Sequence, residues 1–263
     1  FLLSKGIGPY AKLGPEKGAE LAANLQVLYT YRLGVFALYA YDSKNFGGYG
    51  DVAGKIIYNG PPRGGALTNA RGILKIATGL DDGDGYQGLQ VNWDQDVKTM
   101  TDGSSDAMML PIGFPDARIT QALSAGNMTM WSVPKDIWES EGMQKYTKAP
   151  GSAAYEAPTS ETPMPEGVTV VTEDDTFRGV ATVGGDVVSA SMDEELAYQL
   201  TKAMLDNLER VYAKTPFMPN VALGEIADLS TTGMCGPMPL KYHPGAIRAW
   251  EEAGFTVPDC AKP

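Results

Sequence analysis

Histidine and cysteine are nearly absent: the 263-residue chain holds one His and two Cys. A transition-metal site would have to be built almost wholly from carboxylates, and zinc-ligand spacing is missing, so no metal site is expected. Basic residues are also scarce. Lys and Arg total 21 against 32 Asp and Glu, a formal net charge of −11, which repels phosphate backbones and excludes nucleic acid as a partner held by bulk electrostatics. Long apolar runs are lacking too. The most apolar, Leu33 to Tyr41, has strand length and falls far short of the roughly 20 residues a membrane-spanning helix needs. The chain reads as soluble. Phe1 to Lys5 has neither the charged start nor the cleavage site of a signal peptide, and there is no initiator Met, so a mature or trimmed chain is expected.

What is present suffices for a real core. With 43% hydrophobic and 20% charged residues, the composition excludes global disorder and supports two mid-sized lobes. Leu25 to Tyr31 and Gly34 to Tyr41 are rich in aromatic and β-branched residues and read as two strands, the second largely buried. A third short strand, Ile56 to Tyr58, ends at Asn59-Gly60. Pro61-Pro62-Arg63-Gly64-Gly65 then leads into a helix from Ala66 to Ala77, with Ala66, Leu67, Ala70, Leu74 and Ala77 at helical spacing and Gly79 as its stop.

The alternation continues. Gly88 to Trp93 predicts a strand, Asp94 to Thr101 a short helix, Asp106 to Pro111 a strand and Asn127 to Val133 another. Pro115 suits the first position of a helix carrying Ile119, Ala122 and Leu123. Alternating strands and helices predict an α/β fold with mainly parallel pairing. From Ala149 to Gly167 the composition turns to Pro, Ser, Thr, Glu and Gly and predicts an exposed excursion without an element of its own. Val168 to Val171, Phe177 to Val183 and Asp186 to Ala190 resume strand character. Ser191 and Glu194 form a capping box opening a helix with Leu196, Leu200, Met204, Leu208 and Val211 on its apolar face.

Two strand-to-helix turns are candidates for chemistry. The turn at Pro62, Arg63, Gly64, Gly65, Ala66 and Leu67 presents backbone N–H groups and the positive end of a helix dipole, suited to a carboxylate or phosphate, with Arg63 adding a charge. A plain tight turn with a solvated Arg is the alternative. Neither the Walker ending nor the dinucleotide glycine spacing is met, and no cofactor is expected. Gly113-Phe114-Pro115 forms the second turn, with Phe114 either a cleft aromatic or a core residue. His243 would have to serve any catalytic triad, but Tyr242-His243-Pro244-Gly245 reads as a turn. Cys235 and Cys260 both lie near the C-terminus; in an oxidising compartment one disulfide would tie the tail to the loop before His243, and two free buried thiols are the alternative.

The run Pro239-Leu240-Lys241-Tyr242-His243-Pro244-Gly245-Ala246, followed by Trp250-Glu251-Glu252-Ala253-Gly254, resembles the closing motif of the TAXI family. These are solute-binding proteins of tripartite ATP-independent periplasmic (TRAP) transporters. Asp42-Ser43 with Asp51 to Lys55, Gly60 to Leu74, Gly103 to Ala107 with Gly113 to Pro115, and Phe177 to Val183 follow in family order. Where the family usually has Ser-Gly-Thr, this chain has Gly64-Gly65-Ala66. The resemblance implies a two-lobed periplasmic-binding-protein fold (type II) with the N-terminal part of the first lobe missing, or supplied by a second chain. The first lobe would comprise 1–54 and 177–263 and the second 55–176, with crossover strands near Tyr39 to Ser43 and Phe177 to Val183. It implies a periplasmic, non-enzymatic protein that delivers a small carboxylate solute to TRAP membrane permease subunits. The solute would be an amino acid such as glutamate, a dicarboxylate or a 2-oxo acid, held by the two turns. A periplasmic location would also favour a Cys235 to Cys260 bridge. An enzyme on the same scaffold, relying on Cys235 and His243, and a sensor module are the alternatives.

Overall fold

A computed structural model gives the structure of the chain and describes residues 2–213 and 240–263. The chain forms two compact units, one from Phe1–Arg32 with Val183–Pro263 and the other from Leu33–Thr182. The strands are β1 (Leu25–Tyr41), β2 (Ile56–Tyr58), β3 (Gln87–Leu89), β4 (Ala107–Ile112), β5 (Met128–Trp131), β6 (Ser152–Pro158), β7 (Val168–Val171) and β8 (Thr176–Ser189). The helices are α1 (Leu2–Lys5), α2 (Gly14–Ala23), α3 (Gly65–Thr78), α4 (Asp96–Thr101), α5 (Ala117–Ala122), α6 (Lys135–Trp138), α7 (Glu141–Tyr146), α8 (Glu194–Leu205), α9 (Leu208–Tyr212) and α10 (Pro244–Glu252). None of the described helices is long and apolar enough to cross a membrane.

The fold is α/β, but its sheet is mixed and not mainly parallel. Its order is β3-β2-β4-β1-β5-β7, with β8 paired to β1 and β6. β2 runs parallel to β3 and β4, and β5 parallel to β7, whereas β1 lies antiparallel between β4 and β5. The parallel pair β2 and β3 is joined through α3, as helical crossovers require. β1 arrives instead as a strand that begins in the other unit, and its direction owes nothing to a crossover helix. The two strands expected at Leu25 to Tyr41 are one strand of 17 residues. Gly34, with φ 123°, lets it continue, because a Cβ there would stand 2.9 Å from the Ile112 carbonyl oxygen of β4.

Three other expectations are corrected. The stretch expected as an excursion contains β6, whose residues alternate between more and less buried positions and pair antiparallel with β8, from Ser152 opposite Thr182 to Pro158 opposite Thr176. Composition missed it because β8, not the segment itself, supplies the pairing. α5 starts later than Pro115 allows: Asp116 is its N-cap and accepts from the Arg118 N–H at 2.8 Å, while Pro115 precedes it in a cis peptide bond after Phe114. α8 is capped by Asp193, which accepts from the Leu196 N–H at 3.0 Å, and not by Ser191, whose hydroxyl lies 2.8 Å from that of Ser189.

The apolar face foreseen for α8 is not the face it buries. Leu196 and Leu200 are 49% and 44% exposed, whereas Ala197 and Thr201 are buried. α10 packs on α8 with its backbone close in, since a Cβ on Gly245 would stand 2.1 Å from the Glu194 carbonyl oxygen and 3.1 Å from the Ala197 Cβ. Small residues, not large ones, therefore make the contact. In the same unit, Trp250 donates its indole N–H to the Leu28 carbonyl at 3.0 Å, and the His243 N–H reaches the Val27 carbonyl at 2.9 Å. The core of the other unit gathers Phe36, Leu38, Ile57, Ile73, Leu74 and Met109 with Trp138 and Met143 of α6 and α7.

Candidate functional site

β2 and β4 are parallel neighbours, with Ile57 opposite Ala107 and Tyr58 opposite Met108. Their carboxyl ends therefore open on the same edge of the sheet, which is where open α/β sheets bind ligands. The two turns singled out from the sequence are those that follow these ends, so the topology brings them to one edge.

The first turn is anchored beneath by Asn59. This fully buried side chain donates to Asp82 at 3.2 Å and accepts from the Gln90 amide at 2.7 Å. Asp82 also receives the Arg71 guanidinium at 2.7 Å and the Gly88 N–H at 2.7 Å. Burial alone would raise its pKa, but these donors outweigh burial and hold the carboxyl below the ordinary aspartate range. Above that anchor, Gly60 is closely covered: a Cβ there would stand 3.3 Å from the Ala66 Cβ.

Pro62, Arg63, Gly64 and Gly65 are exposed. α3, 14 residues long, begins after Gly64 (φ 108°) without a side-chain cap, and Gly79 (φ 75°) closes it as expected. No atom lies within 4 Å of a Cβ built on either Gly64 or Gly65. Arg63 makes no hydrogen bond or ion pair among the described residues. Leu67 is buried and Ala66 packs on the core, so those two offer the edge their backbone only. The result is an uncapped helix start with open space over its glycines and an uncommitted guanidinium beside it, an arrangement suited to one carboxylate.

The second turn is organised by Asp116, which is 1% exposed. Its carboxylate accepts from the Gly113 N–H at 3.1 Å and from the Arg118 side chain at 2.9 and 3.2 Å. The Gly113 amide is thus spent inside the protein and, Pro115 having none, Phe114 keeps the turn's other N–H. Asp96 stands 3.4 Å from Arg118, and burial pushes its carboxyl up against the pull of that guanidinium. Phe114 is half-buried. It stacks on Tyr155 of β6, centroids 5.5 Å apart at 18°, and meets Phe177 edgewise at 5.3 Å.

Sequence reasoning missed Asn59, Asp116 and Tyr155. An Asp immediately before a short helix is a capping signal and would have found Asp116; Tyr155 lies in the stretch read as having no element. His243 is a structural cap: Nδ1 accepts from the Gly245 N–H at 3.2 Å and Nε2 lies 3.1 Å from the Met192 carbonyl. Cys260 is disulfide-bonded, and Cys235 lies outside the described residues.

A family model for the NMT1-like family matches residues 2–254. The chain belongs to the NMT1-like family. Among curated proteins, none matches it. Solved structures similar to this NMT1-like chain include a protein from Archaeoglobus fulgidus, at 12% identity over 78% of this chain and 59% of that one, with a TM-score of 0.35. Another is the ectoine-binding protein TeaA of the TeaABC TRAP transporter in its apo state, at 14% identity over 90% of this chain and 57% of that one, with a TM-score of 0.33. The periplasmic ectoine-binding protein from the TeaABC TRAP transporter of Halomonas elongata matches at 12% identity, over 90% of this chain and 57% of its own, with a TM-score of 0.33. The NMT1-like chain therefore spans less than two thirds of the length of these structures.

Proposed function

We propose that this chain is the body of an extracytoplasmic solute-binding protein that captures a small carboxylate and hands it to TRAP-type membrane permease subunits. The observation that carries the reading is the uncapped start of α3 beside the uncommitted Arg63. The likeness of the segments around His243, the glycine turn and the Gly113 to Pro115 turn to the TAXI family supports it, as does the fact that one edge of the sheet holds both turns. A division into lobes at 1–54 with 177–263 and at 55–176 belongs to the same proposal. Binding rather than catalysis is favoured by His243, whose ring nitrogens cap α10 and meet a carbonyl instead of serving a nucleophile.

Calorimetric titration of the full chain with small carboxylates tests the reading. Arg63→Ala should cost roughly 1.5 to 3 kcal/mol of binding if its guanidinium meets the carboxylate, and Gly65→Val should weaken binding by filling the space the ligand enters. Unchanged affinity in both variants would place the carboxylate elsewhere.

A further inference from the structure

α4 and α5 pack side by side within the unit formed by Leu33–Thr182. A groove of about 420 Å³ opens between them, lined by Trp93 and Asp94 ahead of α4, Asp96 and Lys98 within it, and Arg118 and Gln121 of α5. A second cavity of about 10 Å³, room for one water-sized group, borders the groove. It shares Asp96 and Arg118 with the groove and adds the side chains of Tyr39 from β1 and Met108 from β4. No residue of the turn before α3 lines either space.

Two polar side chains at this junction are buried and poorly met. Tyr39 is 4% exposed, and its hydroxyl makes no hydrogen bond among the described residues. Asp96 is 5% exposed; its Oδ1 accepts from the Val97 N–H at 2.6 Å, but its Oδ2 faces the Arg118 Nη1 at the long distance of 3.4 Å. Arg118 is drawn the other way, since its Nε and Nη2 donate to Asp116 at 3.2 and 2.9 Å and Nη2 also to the Pro111 carbonyl. A buried carboxylate with so distant a counter-ion gains from a closer cation. Trp93 lines the mouth and is 44% exposed although the Arg118 guanidinium lies 5.7 Å from its ring centroid. With Arg118 offset by Asp116, the groove sets Asp94 and Asp96 against Lys98, in a chain of net charge −11. Both the local and the overall balance favour a cationic visitor over an anionic one.

We infer that this groove is a binding site for a small primary amine. Its ammonium donates to the Asp96 carboxylate and the Tyr39 hydroxyl, and its carbon skeleton lies against the Trp93 indole, where the positive charge is also favoured by the ring. An ammonium head is close in size to the water that the smaller cavity admits, so it reaches both acceptors, whereas a quaternary ammonium has neither the size nor the N–H groups to do so. The site is independent of the solute-binding reading above, since it uses neither Arg63 nor the start of α3.

Calorimetry on the full chain tests this with three probes: phenethylamine, phenethyl alcohol, which has its shape without the charge, and benzyltrimethylammonium, which has the charge without an N–H. Phenethylamine should bind the unaltered protein about tenfold or more tightly than either of the others, as charge-assisted hydrogen bonds require. Asp96→Asn, which keeps an acceptor for the Val97 N–H, should weaken phenethylamine about tenfold, and Tyr39→Phe about two- to fivefold. Trp93→Leu should weaken it about three- to tenfold, the loss of a cation–π contact in a partly desolvated site. Melting curves show whether each variant is folded; Trp93 is exposed, and the probe ranking on the unaltered protein needs no variant at all. Absence of phenethylamine binding, equal or tighter binding of the alcohol or the quaternary ion, or unchanged affinity in folded Trp93→Leu and Tyr39→Phe each overturns the inference and leaves the carboxylate reading untouched.

Discussion

Gly64 and Gly65 are adjacent yet make different demands. Gly64 has φ 108°, a conformation in which a Cβ is strained even though no atom stands in its way. Gly65 lies within α3 without that constraint and also has open space around its missing Cβ. Gly65→Ala should therefore stabilise the ligand-free protein by about 0.4 to 1 kcal/mol through a less flexible unfolded chain, while Gly64→Ala destabilises it by about 1 kcal/mol or more. Urea unfolding of both variants without ligand reads the difference; a loss of stability in Gly65→Ala would mean that the turn is packed against something. This pair of opposite signs was not legible in the sequence. Both residues read as components of one glycine-rich turn, and only the backbone angles distinguish them.

Among elements, the contact of α8 with α10 shows where periodicity misleads. Leu196 and Leu200 repeat at helical spacing and predict a buried stripe, but the pair that meets α10 is Ala197 and Thr201. The deciding residue lies on the partner helix, where Gly245 admits the backbone of α8 to within a distance no side chain tolerates. Gly245→Ala should destabilise the protein by roughly 2 kcal/mol or more, because the clash is with backbone that cannot rotate away, whereas Leu196→Gln should stay within about 0.5 kcal/mol. Chemical denaturation of the two variants compares them directly. A Leu196→Gln cost equal to that of Gly245→Ala would mean that the large residues carry the packing. β6 teaches the complementary lesson: its alternation is short and interrupted by residues common in loops, and its partner β8 begins 18 residues after β6 ends.

At the scale of the whole molecule, β1 and β8 each pass through both compact units, while the last segment of the chain folds back onto the start of β1. There the Val27 N–H donates to the Lys241 carbonyl at 2.9 Å, the Tyr242 N–H to that of Ala261 at 2.8 Å, and the Lys241 ammonium to that of Cys260 at 2.8 Å. A bridge from Cys260 to Cys235 would add to these ties by closing a loop whose entropy is worth on the order of 3 kcal/mol. Thiol titration of the denatured protein should reveal two thiols only after reduction, and reduction should lower the melting temperature. Equal titres before and after would show that the proposed bridge is absent.

The start and stop of α3 and the places of β2, β4, β5 and β7 were determined by the sequence alone. Caps, helical spacing, charge balance and contiguous motifs are local or compositional properties that one chain carries without reference to its fold. Only the tertiary structure decided that β1 runs antiparallel, that β6 exists, that the Gly113 amide is consumed by Asp116, and that Phe114 meets Tyr155 across 41 positions of chain. Strand direction and ring contacts between distant segments depend on which segments become neighbours in space. That choice follows from burying the core as a whole, and no local pattern encodes it.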